Sequence, residues 1–174
     1  MSTQIRRPNE DRFGGDYWDK SGGSTRYANV NEETSDGDTS YIYRKSSYSG
    51  WWYCQFGHEA FSIGNETVNT VKLYITAKCP TTSGTAYLQG GISVGADLDS
   101  SNLSTAPAQA FGDSYQTKQY EFLKNPATGT DWTYEELEHT DLTLSHRLIG
   151  SGPRGADGAQ VRVTQVYLEA TYEG

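Results

Sequence analysis

Three histidines, His58, His139 and His146, are the first residues to weigh for chemistry. Gly57-His58-Glu59-Ala60-Phe61 lacks the second histidine four residues on that a zinc-protease helix requires. No other histidine spacing matches a familiar zinc site, so all three read as surface or structural residues. The neighbouring acids Glu32-Glu33 and Glu135-Glu136 supply carboxylates of the kind glycosidases pair for acid and base work. On a loop or a short exposed helix such neighbours are solvated charges. Asp36-Gly37-Asp38 and Asp97-Leu98-Asp99 offer hard oxygens, but neither has EF-hand spacing. A loop-bound calcium ion stays an alternative to the expectation of no metal and no cofactor.

Phe111-Gly112-Asp113-Ser114-Tyr115 has the look of an SGNH-type esterase nucleophile block. That block needs a buried parallel strand before the serine, a helix after it, and an Asp and His three residues apart near the C-terminus. Here the segment leads into a strand pattern, and the nearest later pair, Asp141 and His146, has the wrong spacing. No catalytic residue is assigned, and the chain is expected not to be an enzyme. Cys54 and Cys79 lie in strand-like runs and read as small buried apolar residues, with a cross-strand disulfide as the alternative. The aromatic group Tyr48, Trp51, Trp52 and Tyr53 has two readings: core or interface packing, and a platform on which sugar rings stack. Adjacent Trp51 and Trp52 on one strand must project to opposite faces.

Composition narrows the field. A chain of 174 residues is most simply one domain. Only 34% is hydrophobic, and 13 Tyr, 4 Trp and 5 Phe carry much of the apolar load. A net charge of −8 opposes nucleic-acid or anionic-membrane partners, which need clustered Lys and Arg. No run approaches the 18 apolar residues of a membrane helix, and the N-terminus lacks the apolar region of a signal peptide.

Alternation of polar and apolar residues positions everything else. Gln160 to Tyr172 alternates over its length, with a parity change near Thr164-Gln165 that predicts a β-bulge. Thr70 to Cys79, Thr85 to Val94 and Tyr115 to Leu123 alternate likewise. Gly90-Gly91 inside the second of these predicts a bulge or a close backbone approach. Shorter strands are expected at Arg26–Val30, Thr39–Arg44, Trp51–Phe56 and Leu142–Ile149, and a long loop at 95–112. Thr133 to His139 is the single helix expected, capped by Thr133 with Glu136 reciprocating. The fold class expected is all-β: a two-sheet antiparallel β-sandwich, jelly-roll-like, of about eight strands with one short helix. Residues 1–25 are expected as an N-terminal arm and 26–174 as the sandwich domain. Arg6, Arg7 and Arg12 would meet an acidic partner, and Tyr17 and Trp18 would pin the arm to the body.

Several segments in order carry a resemblance: Arg7-Pro8-Asn9, Gly23 to Tyr27, the acidic turn Asn31 to Asp38 with its following strand, Asn125-Pro126 with Gly129, Trp132-Thr133, and Val161 to Tyr167. This arrangement resembles small jelly-roll domains encoded among virion structural genes of tailed bacteriophages. The resemblance implies a virion location and a non-enzymatic structural role. Its leading form is a capsid decoration protein that binds the outside of the shell and stabilises it, with the major capsid protein or another virion protein as partner. Homo-oligomers are compatible with it. The alternative is a glycan-binding, host-attachment module of a tail or fibre that uses Tyr48, Trp51 and Trp52.

Overall fold

The computed structural model describes residues 1–13, 18–45, 52–64, 66–79, 85–94, 103–149 and 160–173. Two antiparallel sheets pack face to face. The strands are β1 (Ser2–Arg6), β2 (Pro8–Phe13), β3 (Asp19–Lys20), β4 (Ile42–Lys45), β5 (Trp52–His58) and β6 (Val68–Lys78). After them come β7 (Thr85–Val94), β8 (Leu103–Thr105), β9 (Gln109–Phe111), β10 (Gln116–Phe122), β11 (Thr140–Ile149) and β12 (Gln160–Tyr172). The first sheet runs β10-β6-β12-β4-β3, with β1 also on β12; the second runs β2-β5-β11-β7-β8, with β9 also on β7. The all-β sandwich expected from the sequence is the observed fold.

β12 occupies the expected residues, and its register against β6 slips between Val163 and Gln165, where the parity change predicts the bulge. The slip lets Val161 and Val163, then Val166, Leu168 and Ala170, all reach the core. From the other sheet Cys54, Phe56, Leu88, Ile92, Leu142 and Leu144 meet them, all fully buried. Cys54 and Cys79 are free thiols, and burial pushes the Cys54 thiol up to about 12. The Gly90-Gly91 pair is a close approach on both sides. Tyr120 lays its ring against the backbone of Gly90 and donates its hydroxyl to Leu88 O at 2.8 Å, tying one sheet to the other. A Cβ on Gly91 would stand 2.8 Å from Ser104 O. Helix α1 (Tyr134–Glu138) has the predicted capping box: Glu136 N donates to Thr133 Oγ1 at 3.2 Å and Thr133 N to Glu136 Oε2 at 3.0 Å.

The N-terminal segment departs from expectation. In place of a free arm, β1 pairs with Leu168–Tyr172 of β12 and β2 pairs with β5, so only Arg7 separates a strand of one sheet from a strand of the other. Twelve strands stand among the described residues in place of about eight. The extra ones are short, polar edge strands, which show no apolar period because few of their side chains are buried. Two of them, β8 and β9, fall inside the stretch expected as a long loop. Arg26–Val30 is a 3-10 turn over Tyr27–Asn29, not a strand. The Asp11 carboxylate accepts from the backbone N–H groups of Arg26 and Tyr27 at 2.9 and 2.8 Å, which favours a turn over a ladder.

Gly90→Ala tests the intersheet contact. A methyl group there would sit 2.6 Å from two ring carbons of Tyr120. Urea unfolding should show a loss of ~1–3 kcal/mol, the usual cost of overpacking a rigid core.

Candidate functional site

The outward faces of the two sheets differ in one respect: how their polar groups are satisfied. On the first sheet most of the groups find partners within the fold, Asn69 Nδ2 of β6 excepted. Asp38 receives Lys78 Nζ at 2.5 Å, Arg162 Nη1 at 2.8 Å and the Tyr115 hydroxyl at 3.1 Å. Those cations hold its carboxyl down to about 2. Lys78 also covers the Tyr115 ring and Arg162 the Tyr41 ring. Thr76 bonds Thr117 and Gln165, and Tyr74 stacks on Tyr167 at 4.7 Å. The Asp36 carboxylate accepts from Ser40 N and Thr164 Oγ1. Asp36 and Asp38 therefore serve as structural ties; Asp97 and Asp99 lie outside the described residues.

The second sheet's outward face is built from small polar side chains on three central strands. Register sets Thr143 between Gln55 and Gly91, Asp141 beside Ser93, and Ser145 between Tyr53 and Gln89. Their apolar neighbours Leu142 and Leu144 take the core, so alternation alone sends Asp141, Thr143 and Ser145 outward. Outward-facing polar residues of a sheet are ordinarily exposed. Here Asp141 is 6% exposed, Gln55 1%, and Thr143, Ser145 and Ser93 0%. The row ends at Tyr53 and Gln89, which are only half-buried.

Two glycines shape this face. Gly57 presents no side chain, and the Arg12 guanidinium occupies the space, with Nε 3.1 Å from where a Cβ would lie. Arg12 thereby reaches Asp141, Nε to Oδ1 3.7 Å, while its Nη2 stands 3.1 Å from Glu10 Oε2. On the other flank Gly91 admits β8, and Gln89 Nε2 donates to Thr105 Oγ1 at 2.8 Å. Gln55 Nε2 donates to Ser93 Oγ, and Ser145 Oγ to Gln89 Oε1 at 3.4 Å. Asp141 Oδ2 and Thr143 Oγ1, two positions apart on one strand, have no hydrogen-bond partner among the described residues. A buried polar group without a partner costs about 1–3 kcal/mol. The same state recurs elsewhere, at Thr25 Oγ1, Glu32 Oε2, Asn69 Nδ2 and Asn125 Nδ2. Burial pushes the Asp141 carboxyl up to about 6, against the pull of Arg12 and with the push of Glu10.

Of the residues named from sequence, Arg12, Tyr53 and Asp141 belong to this row. Arg6 donates to Ala60 O and to Gln4 Oε1 and lies over the Phe61 ring; Arg7 donates to Glu32 O at 3.3 Å. Their guanidinium groups are engaged within the fold. Trp18 is buried in the core. Tyr17, Tyr48 and Trp51 lie outside the described residues, and Trp52 is described by its backbone alone, which opens β5 opposite His146. Ser114 precedes β10, and the strand before it, β9, pairs antiparallel with β7, so the esterase arrangement does not form. His58 Nδ1 lies 2.7 Å from Glu59 O, with its ring on Phe61, and burial lowers its pKa. Thr143, Gln55 and Ser93 went unnoticed in the sequence, and Asp141 was weighed only as a partner for Ser114. Their signal was an alternation in which every polar partner of a core residue is short: Asp141, Thr143, Ser145.

No family model matches the chain, and no curated protein matches it. Solved structures resemble its fold. A xylan-binding module, CBM15, aligns over 99% of this chain and 100% of its own at 9% identity with a TM-score of 0.50. The CBM22-1 xylan-binding domain from Paenibacillus barcinonensis Xyn10C aligns over 100% and 99% at 12% identity with a TM-score of 0.49. The Stig cyclase Fisc from Fischerella sp. TAU aligns over 90% and 75% at 13% identity with a TM-score of 0.50. At these identities the likeness is one of fold.

The raised pKa of Asp141 makes a stability prediction. The folded chain holds the Asp141 proton more tightly than the unfolded chain does. Its contribution is therefore unfavourable above about pH 6, where the carboxyl is ionised in both states. Stability gains as pH falls through 6 toward the ordinary carboxylate range. Comparing Asp141→Asn with the parent by chemical unfolding at pH 7.5 and 4.5 should show the variant more stable at pH 7.5, by on the order of 2 kcal/mol, and the gap closing at pH 4.5.

Proposed function

We propose that this chain is a glycan-binding module whose ligand lies along the outward face of the second sheet. The observation that carries the reading is the polar row on that face, which runs from Asp141 through Thr143 to Ser145 and comes to the surface at the half-buried Tyr53 and Gln89. Sugars supply hydroxyl groups that both donate and accept. They match a row of amide, hydroxyl and carboxylate side chains better than an apolar ligand would. Tyr53 and Gln89, at the half-buried end, are placed to meet the ligand where it leaves the protein; a tyrosine there offers an apolar ring with a polar edge. A xylan-binding module shares the architecture over nearly the whole chain, which supports the reading. The shell-bracing role implied by the bacteriophage resemblance draws no comparable support, and Arg6, Arg7 and Arg12 each have partners within the chain.

The test is a glycan array followed by titration calorimetry on any ligand found. Affinity should fall at least tenfold in Tyr53→Ala or Gln89→Ala and stay within twofold in Tyr74→Ala, on the first sheet, with melting curves confirming each fold. The reverse pattern would move the ligand to the first sheet. Absence of binding to a broad array would overturn the glycan reading.

A further inference from the structure

On the premise that the second sheet's outward face binds glycans, its open end shows which side chains meet the ligand and how long that ligand is. Burial falls along the face in one direction. On β7 the outward Ser93 and Gly91 are buried, whereas Gln89 and Tyr87 are half-buried. On β5 Gln55 is buried and Tyr53 half-buried. Leu88 takes the core, so alternation sends Tyr87 to the same side as Gln89. The accessible end therefore has a tyrosine on each strand flanking β11.

These two tyrosines differ from those of the first sheet. There Tyr74 stacks on Tyr167 and donates to Glu169, Tyr43 donates to Asp19, and Tyr41 meets both Tyr43 and Arg162. Tyr53 and Tyr87 have neither a ring partner nor a hydrogen bond from the hydroxyl among the described residues. Opposite Tyr87 on β9 stands Ala110, exposed and too small to cover a ring. Gln89 is fixed next to Tyr87 by its bonds with Thr105 and Ser145. Its amide keeps a second N–H to donate.

Register gives the spacing. Tyr53 lies opposite Ser145 on β11, and Tyr87 lies opposite Arg147, two residues further along. With strands ~4.8 Å apart and a rise of ~3.4 Å per residue, the Cα atoms of Tyr53 and Tyr87 are about 12 Å apart on a diagonal. One pyranose, about as wide as one strand spacing, covers one of the tyrosines. A run of linked sugars reaches both, with apolar ring faces on the tyrosines and hydroxyls toward Gln89.

We propose that Tyr87 is a second ring contact of the glycan face and that, with Tyr53, it makes the face a reader of oligosaccharide chains lying obliquely across β5, β11 and β7, not of single sugars.

The experiment is calorimetry on the full chain with the monosaccharide, disaccharide, tetrasaccharide and hexasaccharide of the xylose, β-1,4-glucose and β-1,4-galactose series. In at least one series the parent should bind the tetrasaccharide at least tenfold more tightly than the disaccharide, with less than a threefold further gain at the hexasaccharide. Tyr87→Ala should lose at least tenfold on the tetrasaccharide yet stay within twofold on the disaccharide. Tyr87→Phe, which keeps the ring, should stay within threefold of the parent throughout. Tyr87→Gln should match Tyr87→Ala, and it replaces that variant if melting curves show that the alanine chain does not fold. A merely structural Tyr87 would weaken every length equally, and that result would overturn the proposal. So would a tetrasaccharide affinity unchanged in Tyr87→Ala while Tyr53→Ala loses binding, an outcome that leaves the glycan reading standing. Equal parent affinity for monosaccharide and tetrasaccharide would overturn the recognition of chains. A parent that binds no member of any series would overturn the proposal together with its premise.

Discussion

The fold hangs on hydrogen bonding along both edges of β12. One edge is taken by β6 over most of the strand's length; the other is divided between β4 at one end and β1 at the other. A strand bonded on both sides and buried on one face tolerates no slip of register, because a one-residue shift would send its valines and leucine to solvent. The bulge at Val163–Gln165 reconciles a parity change in the sequence with a continuous core. In the break between β1 and β4, Val166 N donates to Val30 O at 2.8 Å, so the turn region before β4 completes the edge. The loop residues that follow Val30 then fall where Gln165 can donate to the carbonyls of Glu32 and Glu33.

From this frame comes the difference between the two outward faces. The first sheet carries the larger and more conspicuous side chains, tyrosines, lysines and arginine, and those around Asp38 are tied to one another, although Asn69 Nδ2 of β6 has no partner among the described residues. The second carries serine, threonine, glutamine and one aspartate, and leaves two of their atoms unmatched. Aromatic content alone would have favoured the first face. Hydrogen-bond satisfaction favours the second, because solvated charges and stacked rings on a sheet are cheap, whereas an unmatched buried carboxylate oxygen is not. Glycine at 57 and 91 contributes as much as any side chain, since each lets a neighbour, the Arg12 guanidinium and β8 respectively, approach the strands closely.

The long strands were legible because each buries one complete face: β7 and β12 fall on their expected residues, and the capping box at Thr133 and Glu136 announces α1. The first thirteen residues were not. Ser2-Thr3-Gln4-Ile5-Arg6 has one large apolar residue, Ile5, and register turns it outward against Glu169. A strand added to an existing edge draws its stability from backbone bonds, which no side-chain pattern reports. The site was hidden for a different reason. Asp141 was weighed only as a distant partner for Ser114, when the telling feature was its place in Asp141-Leu142-Thr143-Leu144-Ser145. Whether such a polar row is open or enclosed depends on what the tertiary fold lays across it.

The pairing of β1 with β12 has a mechanical consequence. Ser2 lies opposite Tyr172 in an antiparallel ladder, so the two ends of this ladder emerge side by side from the same edge of the sandwich. Tension applied between them would load the rungs of the ladder in succession, opening it like a zip. The body between β4 and β11 would feel no shear until β1 had peeled away. A pull applied across this ladder would thus yield first at a peripheral strand, far along the chain from Asp141, Thr143 and Ser145.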